Sequence, residues 1–352
     1  MDCATAGKQD ERQHGDPIHA LDYTRGMKRR LTLLIAWILA ISAPVWAADP
    51  ALLKAQIEST ISRARGEVGV AIKHLESGTE VLVNADSRYP MASAYKLPIL
   101  VELMYQRAAG KLTMDDRFEV LPSDLHIGSG VMIALFDPPG VQLSIRNLIN
   151  MMMRISDNSA ADILFNKAGP ANVTARMQTL GLSSIHVDRS TQEMILDQSG
   201  VDFASKGSLP GRELRRVLDA VDAPTAARAN DQFNKTDKDL ASPHDMNRLL
   251  EKIYRGEIVD RAASDEIIAI LKECQTGPLR IPGLLPPDTV VAHKTGTIGG
   301  STNDLGIVYL PYDKGELAIT VLMRDGRAAA ADRERVIAEV ARYAYDYFVF
   351  SN

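Results

Sequence analysis

The first residues whose types and spacing could do chemistry are Ser93 and Lys96, three positions apart. Lys96 opens an apolar run that predicts a helix over residues 96–105. Residues three apart on a helix lie one turn from each other, so the Lys96 amine is expected beside Ser93 Oγ. A buried lysine with a lowered pKa can accept the serine proton, and a serine N–H at a helix start can bind an oxyanion. The alternative is an N-cap serine beside a surface lysine.

A second group, Ser156-Asp157-Asn158, follows the apolar stretch 148–155 and precedes a predicted helix over 160–167. Buried at such a junction, Ser156 could pass a proton to a leaving nitrogen, and Asn158 could hold a substrate amide. The alternative is a plain turn at a helix start, for which Ser, Asp and Asn are favoured residues.

A third group, Lys294-Thr295-Gly296, closes a predicted strand over residues 289–294. Lys294 could pair with a substrate carboxylate and Thr295 could add a hydrogen bond, while Gly296 would let a ligand backbone approach. The N–H of Thr297 would be the second oxyanion donor, after that of Ser93. The alternative is a solvated strand end.

The elements that must position these groups follow from hydrophobic periodicity. Helical patterns cover residues 50–66 and 328–350, and residues between about 93 and 285 are mostly helical. We therefore predict a two-lobed α/β (α+β) fold, with a five-stranded antiparallel sheet covered by the N- and C-terminal helices and an inserted all-helical lobe. The polar segment 197–240 is expected to be a long loop excursion around a short helix at 212–220. The predicted strands lie near residues 68–72, 80–83, 289–294, 305–310 and 317–323.

The N-terminal segment has the sequence features of a signal for export. Basic residues at 28–30 precede an apolar run at 31–41, and Val45 and Ala47 satisfy the small-residue rule for cleavage after Ala47. We expect residues 1–26 to be an upstream extension before a true start at Met27, 27–47 to be a signal peptide, and 48–352 to be the catalytic domain. The product would be periplasmic or secreted, without stable membrane insertion after cleavage. A membrane anchor is the alternative, but the apolar run is short for a span.

Composition and charge exclude several classes of function. The chain has 352 residues and a formal net charge of −5, with no basic block for a nucleic acid backbone. Its histidines are scattered without zinc-ligand spacing, so no metal and no cofactor are expected. Of the two cysteines, Cys274 would remain alone after cleavage, and we predict that it is a small buried hydrophobic residue. His293 is predicted to pack rather than to catalyse.

Together, in this order and behind an export signal, the three groups resemble those of the class A serine β-lactamases and their hydrolase relatives. The resemblance covers nearly all of residues 50–350, and the stretches around Gly128 and 303–311 support it, the latter being similar to an extended-spectrum branch of the family. The resemblance implies a site at the junction of two lobes. Many family members carry an arginine on the strand after the third group, and this chain has none there. Arg280 lies at the position where the extended-spectrum branch supplies a substitute for that arginine. The implied roles are nucleophile for Ser93, base for Lys96, proton shuttle for Ser156, substrate contact for Asn158, and carboxylate binding for Lys294 and Thr295.

One departure from the family bears on turnover. The loop after the second group normally carries Arg-x-Glu, whose glutamate activates the water that hydrolyses the acyl-enzyme, but this chain has Arg189-Ser190-Thr191. Threonine is no base near neutral pH. Glu193, two residues on, is the candidate replacement if the loop is shifted.

The sequence therefore predicts a serine hydrolase that forms an acyl-enzyme at Ser93 and opens β-lactam rings, with slow deacylation. The alternatives are a D-Ala-D-Ala peptidase or esterase that uses the same chemistry, and a periplasmic sensor that stays acylated. The expected partner is a small-molecule acyl donor, either a β-lactam or a peptidoglycan-like compound. We expect no nucleic acid partner and no stable oligomer, so the protein should be a monomer.

Overall fold

The computed structural model describes residues 49–136, 140–207 and 209–350. The predicted upstream extension and signal peptide lie outside these residues. Within the described part of the chain, no helix is both long enough and apolar enough to span a bilayer.

A five-stranded antiparallel sheet forms the centre of one lobe, as predicted, with the strand order β2-β1-β9-β8-β7. The order places β7 at one edge, where it faces the helical lobe. Two short two-stranded sheets, β3 with β6 and β4 with β5, lie outside the main sheet. The strands are β1 Glu67–His74, β2 Glu80–Val83, β3 Tyr89–Pro90, β4 Arg117–Glu119, β5 Gln142–Ser144, β6 Leu240–Ala241, β7 Val291–Ile298, β8 Ser301–Tyr309 and β9 Glu316–Arg324.

The sheet is buried on both faces because its side chains alternate between two cores. On β9, Ile319 and Val321 join a core with the terminal helices, whereas Ala318 and Leu322 join the core of the helical lobe. β9 is apolar almost throughout and reads as a continuous hydrophobic run, whereas β8 is equally buried but begins with the four polar residues 301–304.

The helices divide between the two lobes. The first and last helices, α1 and α13, pack on the outer face of the sheet, and those between them build the other lobe. Three-residue and four-residue 3₁₀ turns lie at Ser62–Ala64, Ala92–Tyr95, Pro122–Asp124 and Ile281–Leu284. The α-helices are α1 Pro50–Ile61, α2 Lys96–Ala108, α3 Met132–Leu135, α4 Ile145–Arg154, α5 Asn158–Ala168, α6 Pro170–Thr179, α7 Thr191–Ser199, α8 Phe203–Lys206, α9 Gly211–Asp219, α10 Ala223–Phe233, α11 Pro243–Arg255, α12 Arg261–Lys272 and α13 Ala330–Phe350.

Two predictions about the elements were wrong. The segment 197–240 is not a long loop, because α8, α9 and α10 occupy most of its described residues. The side chains of Asp202 and Asp222 accept backbone N–H groups and so cap α8 and α10. The second wrong prediction is that Lys294-Thr295-Gly296 ends its strand. Instead, β7 continues through these residues to Ile298 and pairs with β8 along its whole length.

Candidate active site

The turn that presents Ser93 is set by the backbone before it. Ala92 has a φ of +47°, an unusual value for a residue with a Cβ. Ser93 follows in the 3₁₀ turn and is partly exposed, whereas the next residues are buried. Asn303 on β8 donates from Nδ2 to the carbonyl oxygens of Pro90 and Met91 at 2.8 and 2.9 Å. The fully buried Asn303 therefore fixes the start of the turn, a role that no sequence pattern indicated.

Gly296 lies where β7 crosses this turn. A Cβ on Gly296 would stand 2.4 Å from the Met91 carbonyl oxygen and 3.2 Å from the Ser93 nitrogen. The glycine is therefore required by the approach of the protein's own backbone, a role that the sequence analysis did not predict.

Lys96 is fully buried at the start of α2. Its Nζ donates to the Ser156 carbonyl oxygen at 2.8 Å, to Asn158 Oδ1 at 2.9 Å and to Ser156 Oγ at 3.2 Å. Burial, followed by the charge of Lys294, lowers the pKa of Lys96 well below its usual range. The expected neutral amine is supported, but the hydrogen bonds of Lys96 go to the second group and none goes to Ser93 Oγ.

Ser156 links the two buried lysines. Its Oγ accepts from Lys96 Nζ and, at 3.0 Å, from Lys294 Nζ. Its φ of +56° is again unusual for a residue with a Cβ, and its side chain is 4% exposed. An oxygen that is hydrogen-bonded to two lysine amines can give up its own proton and be reprotonated by a neighbouring ammonium group.

The other two members of the second group hold the surrounding loops. Asp157 caps α5 and accepts the backbone N–H groups of Val131 and Met132 at 2.6 and 2.9 Å. Asn158 Nδ2 donates to the Ile127 carbonyl oxygen at 2.9 Å, while its Oδ1 accepts from Lys96. Both ends of the Asn158 side chain are therefore engaged, although it also lines the pocket beside Ser93.

Lys294 and Thr295 lie side by side on the edge strand. Burial lowers the pKa of Lys294 to about 8, and the neighbouring Arg280 also lowers it. Lys294 Nζ donates to the Thr295 carbonyl oxygen at 2.8 Å as well as to Ser156. Thr295 Oγ1 lies 2.6 Å from Thr276 Oγ1. A cation with a lowered pKa can still bind a carboxylate near neutral pH.

Arg280 is nearly buried and extensively bonded. It donates to the Gly296 and Asn303 carbonyl oxygens, to Thr297 Oγ1 at 2.6 Å and to Glu334. Arg280 therefore contacts the backbone of β7 and β8, and it contacts the pocket beside Ser93 through the exposed Thr297. We assign it a positioning role here.

A small pocket of about 120 Å³ brings Ser93, Asn158, Thr191 and Thr297 together. Thr191 is placed by Asp162, whose buried carboxylate accepts the N–H groups of Thr191 and Gln192 at 2.7 and 3.0 Å. Sequence reasoning missed Asp162, since an isolated acidic residue on a helix carries no signal. The other lining residues are Ala92, Gly128, Ser129, Met194, Ile195 and Ile298.

Glu193 is not among the residues that line this pocket. Burial raises the pKa of the Glu193 carboxyl, and the charged side chains around it are Asp197, Lys238 and Arg189. The structure thus brings Thr191 to Ser93 and leaves Glu193 in a neighbouring charge cluster. Within the described residues, no group of three or more His, Cys, Asp or Glu side chains is arranged to hold a metal ion.

Known proteins resemble this chain in sequence and in overall fold. The family model described as the β-lactamase enzyme family matches residues 52–348. β-Lactamase VEB-1 of Pseudomonas aeruginosa is 26% identical over 332 residues, which cover 92% of this chain and 98% of that protein. Extended-spectrum β-lactamase PER-1 of the same organism is 27% identical over 333 residues, 91% and 95% of the two chains. The crystal structure of a β-lactamase from Chitinophaga pinensis DSM 2588 superposes with a TM-score of 0.68 at 31% identity, covering 84% of this chain and 98% of that one.

Proposed function

Because the chain belongs to the β-lactamase enzyme family, we propose that it opens β-lactam rings through an ester on Ser93. The family resemblance predicted from the three groups is confirmed. One observation carries the catalytic part of the proposal: two buried lysines meet at Ser156 Oγ, next to the pocket that contains Ser93.

In the proposed acylation step, neutral Lys96 takes the proton of Ser93 Oγ, and the oxygen attacks the lactam carbonyl carbon. A neutral amine has two N–H groups, so Lys96 must give up at least one of the three hydrogen bonds to the second group described above, and its lone pair is then available for the serine proton. The N–H groups of Ser93 and Thr297 would hold the oxyanion. The ring C–N bond then breaks, and the nitrogen takes the proton of Ser156 Oγ, which Lys96 replaces.

Substrate binding is assigned to the edge strand. A β-lactam carboxylate would pair with Lys294 and accept from Thr295, with Arg280 fixing the Thr297 side chain beside them. Asn158 would contact the substrate amide only if it gives up one of its two present hydrogen bonds. The proposed substrate class is therefore a small acyl donor with a carboxylate near the reacting carbonyl.

Hydrolysis of the ester is the slow step in this proposal. Thr191 lines the pocket where a general base would be needed, and its hydroxyl cannot take a proton from water near neutral pH. Losing such a base lowers the rate of its step about 10²–10⁴-fold. The acyl-enzyme should accumulate.

Stopped-flow hydrolysis of a chromogenic cephalosporin tests the assignment of Thr191. We expect a burst of one product per enzyme followed by slow turnover, and Thr191→Glu should raise the steady-state rate by at least tenfold. Thr191→Gln is the matched control, because it has the same length and no basic carboxylate. Turnover without a burst, together with loss of deacylation in Glu193→Gln, would instead assign the base to Glu193.

The presence of Thr191 where a general base would be needed also favours a second function, that of a sensor. A protein that acylates quickly and deacylates slowly is a covalent β-lactam or peptidoglycan sensor rather than a hydrolase. A Thr191→Glu variant that gains no turnover, with the wild-type ester persisting for hours, would support the sensor.

A further inference from the structure

The pocket beside Ser93 has two walls that come from different parts of the chain. Gly128 and Ser129 belong to the loop 125–131, and Ile195 belongs to α7. The two walls come close to each other, because a Cβ on Gly128 would stand 3.1 Å from Ile195 Cδ1. The separation of the loop and the helix therefore determines how much room the pocket offers.

One buried carboxylate joins the two walls. Asp162 on α5 is 1% exposed and accepts the N–H groups of Thr191 and Gln192, at the start of α7. Its Oδ2 also lies 2.6 Å from His126 Nδ1, at the start of the loop. The backbone N–H of His126 donates to Ser159 Oγ, again on α5, at 2.8 Å. The loop and α7 are thus fixed to the same helix.

His126 supplies a positive charge to this arrangement. Its Nδ1 faces the Asp162 carboxylate, and its Nε2 lies 3.1 Å from the Ser123 carbonyl oxygen. An ionised carboxylate and a carbonyl oxygen only accept hydrogen bonds, so both ring nitrogens must donate and the ring must be an imidazolium. Burial would lower the pKa of His126, but the hydrogen bond and the charge of Asp162 raise it. A neutral imidazole could make only one of the two contacts.

The pocket between the two walls is small. Its volume is about 120 Å³, and a cavity of about 150 Å³ is one that holds a single benzene ring. In the binding mode proposed above, the carboxylate of a β-lactam lies at Lys294 and Thr295. The acyl side chain leaves the lactam ring on the other side of the carbonyl group, toward Asn158 and the pocket. An aromatic acyl side chain can therefore enter only if the loop 125–131 and α7 move apart.

We propose that His126 is a positioning residue that, through Asp162, holds the two walls together and makes the enzyme favour β-lactams with small acyl side chains. His126 is not among the residues that line the pocket, so it acts through the loop and α7 rather than on the substrate. The preference for small side chains rests on the proposed function, whereas the ionic contact between His126 and Asp162 does not.

The ionic contact is tested by nuclear magnetic resonance of the full-length protein with ¹⁵N in its histidines. Both ring nitrogens of His126 should be protonated near pH 7, which their chemical shifts report. The signals are assigned by their loss in His126→Gln, or in His126→Asn if the first variant does not fold. A His126 ring that is neutral near pH 7 would overturn the proposal.

The effect on substrates is tested with two penicillins that differ only in the side chain, which is acetyl in one and phenylacetyl in the other. The wild type should be acylated by the acetyl compound with the larger second-order rate constant. In His126→Gln the ratio of the two rate constants should fall about three- to tenfold, as expected for the loss of one hydrogen bond. The ratio does not depend on the fraction of folded protein, so a merely structural role would leave it unchanged.

His186→Gln is the matched control. His186 Nε2 lies 3.1 Å from the Ser183 carbonyl oxygen, the same local contact that His126 makes, but within the described residues no carboxylate is hydrogen-bonded to His186. This variant should keep the wild-type ratio.

Three results would overturn the proposed restriction: a wild type that favours the phenylacetyl compound, an unchanged ratio in His126→Gln, or an equal change in His186→Gln. The first of these is decided by the wild type alone. Absence of acylation by either penicillin would defeat the proposed function and leave the ionic contact standing.

Discussion

At the scale of single residues, the site depends on two lysines with different duties. Both are fully buried, and each lies close enough to the other to share Ser156 Oγ. Burial and the charge of Lys294 lower the pKa of Lys96 well below its usual range, whereas burial lowers the pKa of Lys294 to about 8. In the proposed acylation, Lys96 therefore serves as the base and Lys294 as the cation that binds the substrate carboxylate.

The acylation rate should consequently fall as pH rises through about 8, because Lys294 loses the charge that binds the substrate carboxylate. The lowered pKa means that the cation is present below that value and absent above it. In Lys294→Arg the acylation rate should no longer fall as pH rises through about 8, since arginine stays charged. The pH profile of kcat/KM for a penicillin checks this, and a wild-type profile that is flat to about pH 10 would contradict it.

The sequence indicated the residue types of the site better than their contacts. Ser93, Lys96, Ser156 and Lys294 were predicted because their spacing has a chemical meaning, and the structure brings the last three into contact. The partners of Arg280 and the roles of Asp162 and Asn303 could not be predicted, because they depend on which strands and loops meet in space. Cys274 was predicted to be a buried hydrophobic residue but is partly exposed, and its Sγ lies 3.3 Å from Thr276 Oγ1.

At the scale of elements, the segment that carries Thr191 is held by a buried ion pair. Arg189 Nε donates to Asp239 Oδ2 at 2.6 Å, and Asp239 Oδ1 accepts the N–H groups of Asp188 and Arg189 at 2.7 and 3.0 Å. Both side chains of the pair are 3% exposed. The start of α7, and with it Thr191, is therefore tied to the strand β6 that follows Asp239.

Asp239→Ala should destabilise the protein by about 3–5 kcal/mol, because it leaves the Arg189 cation buried with one partner fewer. Asp237→Ala is the matched control, since Asp237 is exposed two residues away and its removal should cost less than about 0.5 kcal/mol. Urea unfolding followed by circular dichroism gives both values. A loss below about 1 kcal/mol in Asp239→Ala would mean that the pair does not hold this segment.

The helices in 197–240 show why that segment was misread. They are short and mostly polar, and few of their residues are buried, among them Leu214 and Phe233. A periodic pattern needs several buried positions to be visible in the sequence. β9 was easier to predict because burial on both faces makes it almost continuously apolar, whereas only the apolar second half of the equally buried β8 was predicted.

At the scale of the whole molecule, the proposed substrate site lies where the edge strand β7 of the sheet meets the turn that carries Ser93. The five-stranded sheet and the two terminal helices could be predicted because they bury long apolar runs at the two ends of the chain. How closely β7 approaches that turn could not, since it depends on Gly296 and on the backbone of residues far away in sequence.

We also propose that residues 27–47 direct export and that the mature chain begins at Ala48. The small residues Val45 and Ala47 precede this position, as the cleavage rule requires. N-terminal sequencing of protein from a periplasmic extract should give Ala48. A mature protein that begins at Met1 would rule out both the cleavage and the start at Met27.

The measurement that tests the central claim most directly is the intact mass of the protein after brief exposure to a penicillin. We predict a gain equal to the mass of one intact penicillin, because ring opening loses no atoms, and peptide mapping should place it on Ser93. Ser93→Ala should gain nothing while keeping the wild-type circular dichroism spectrum. An unchanged wild-type mass throughout turnover, or undiminished labelling of Ser93→Ala, would contradict the account.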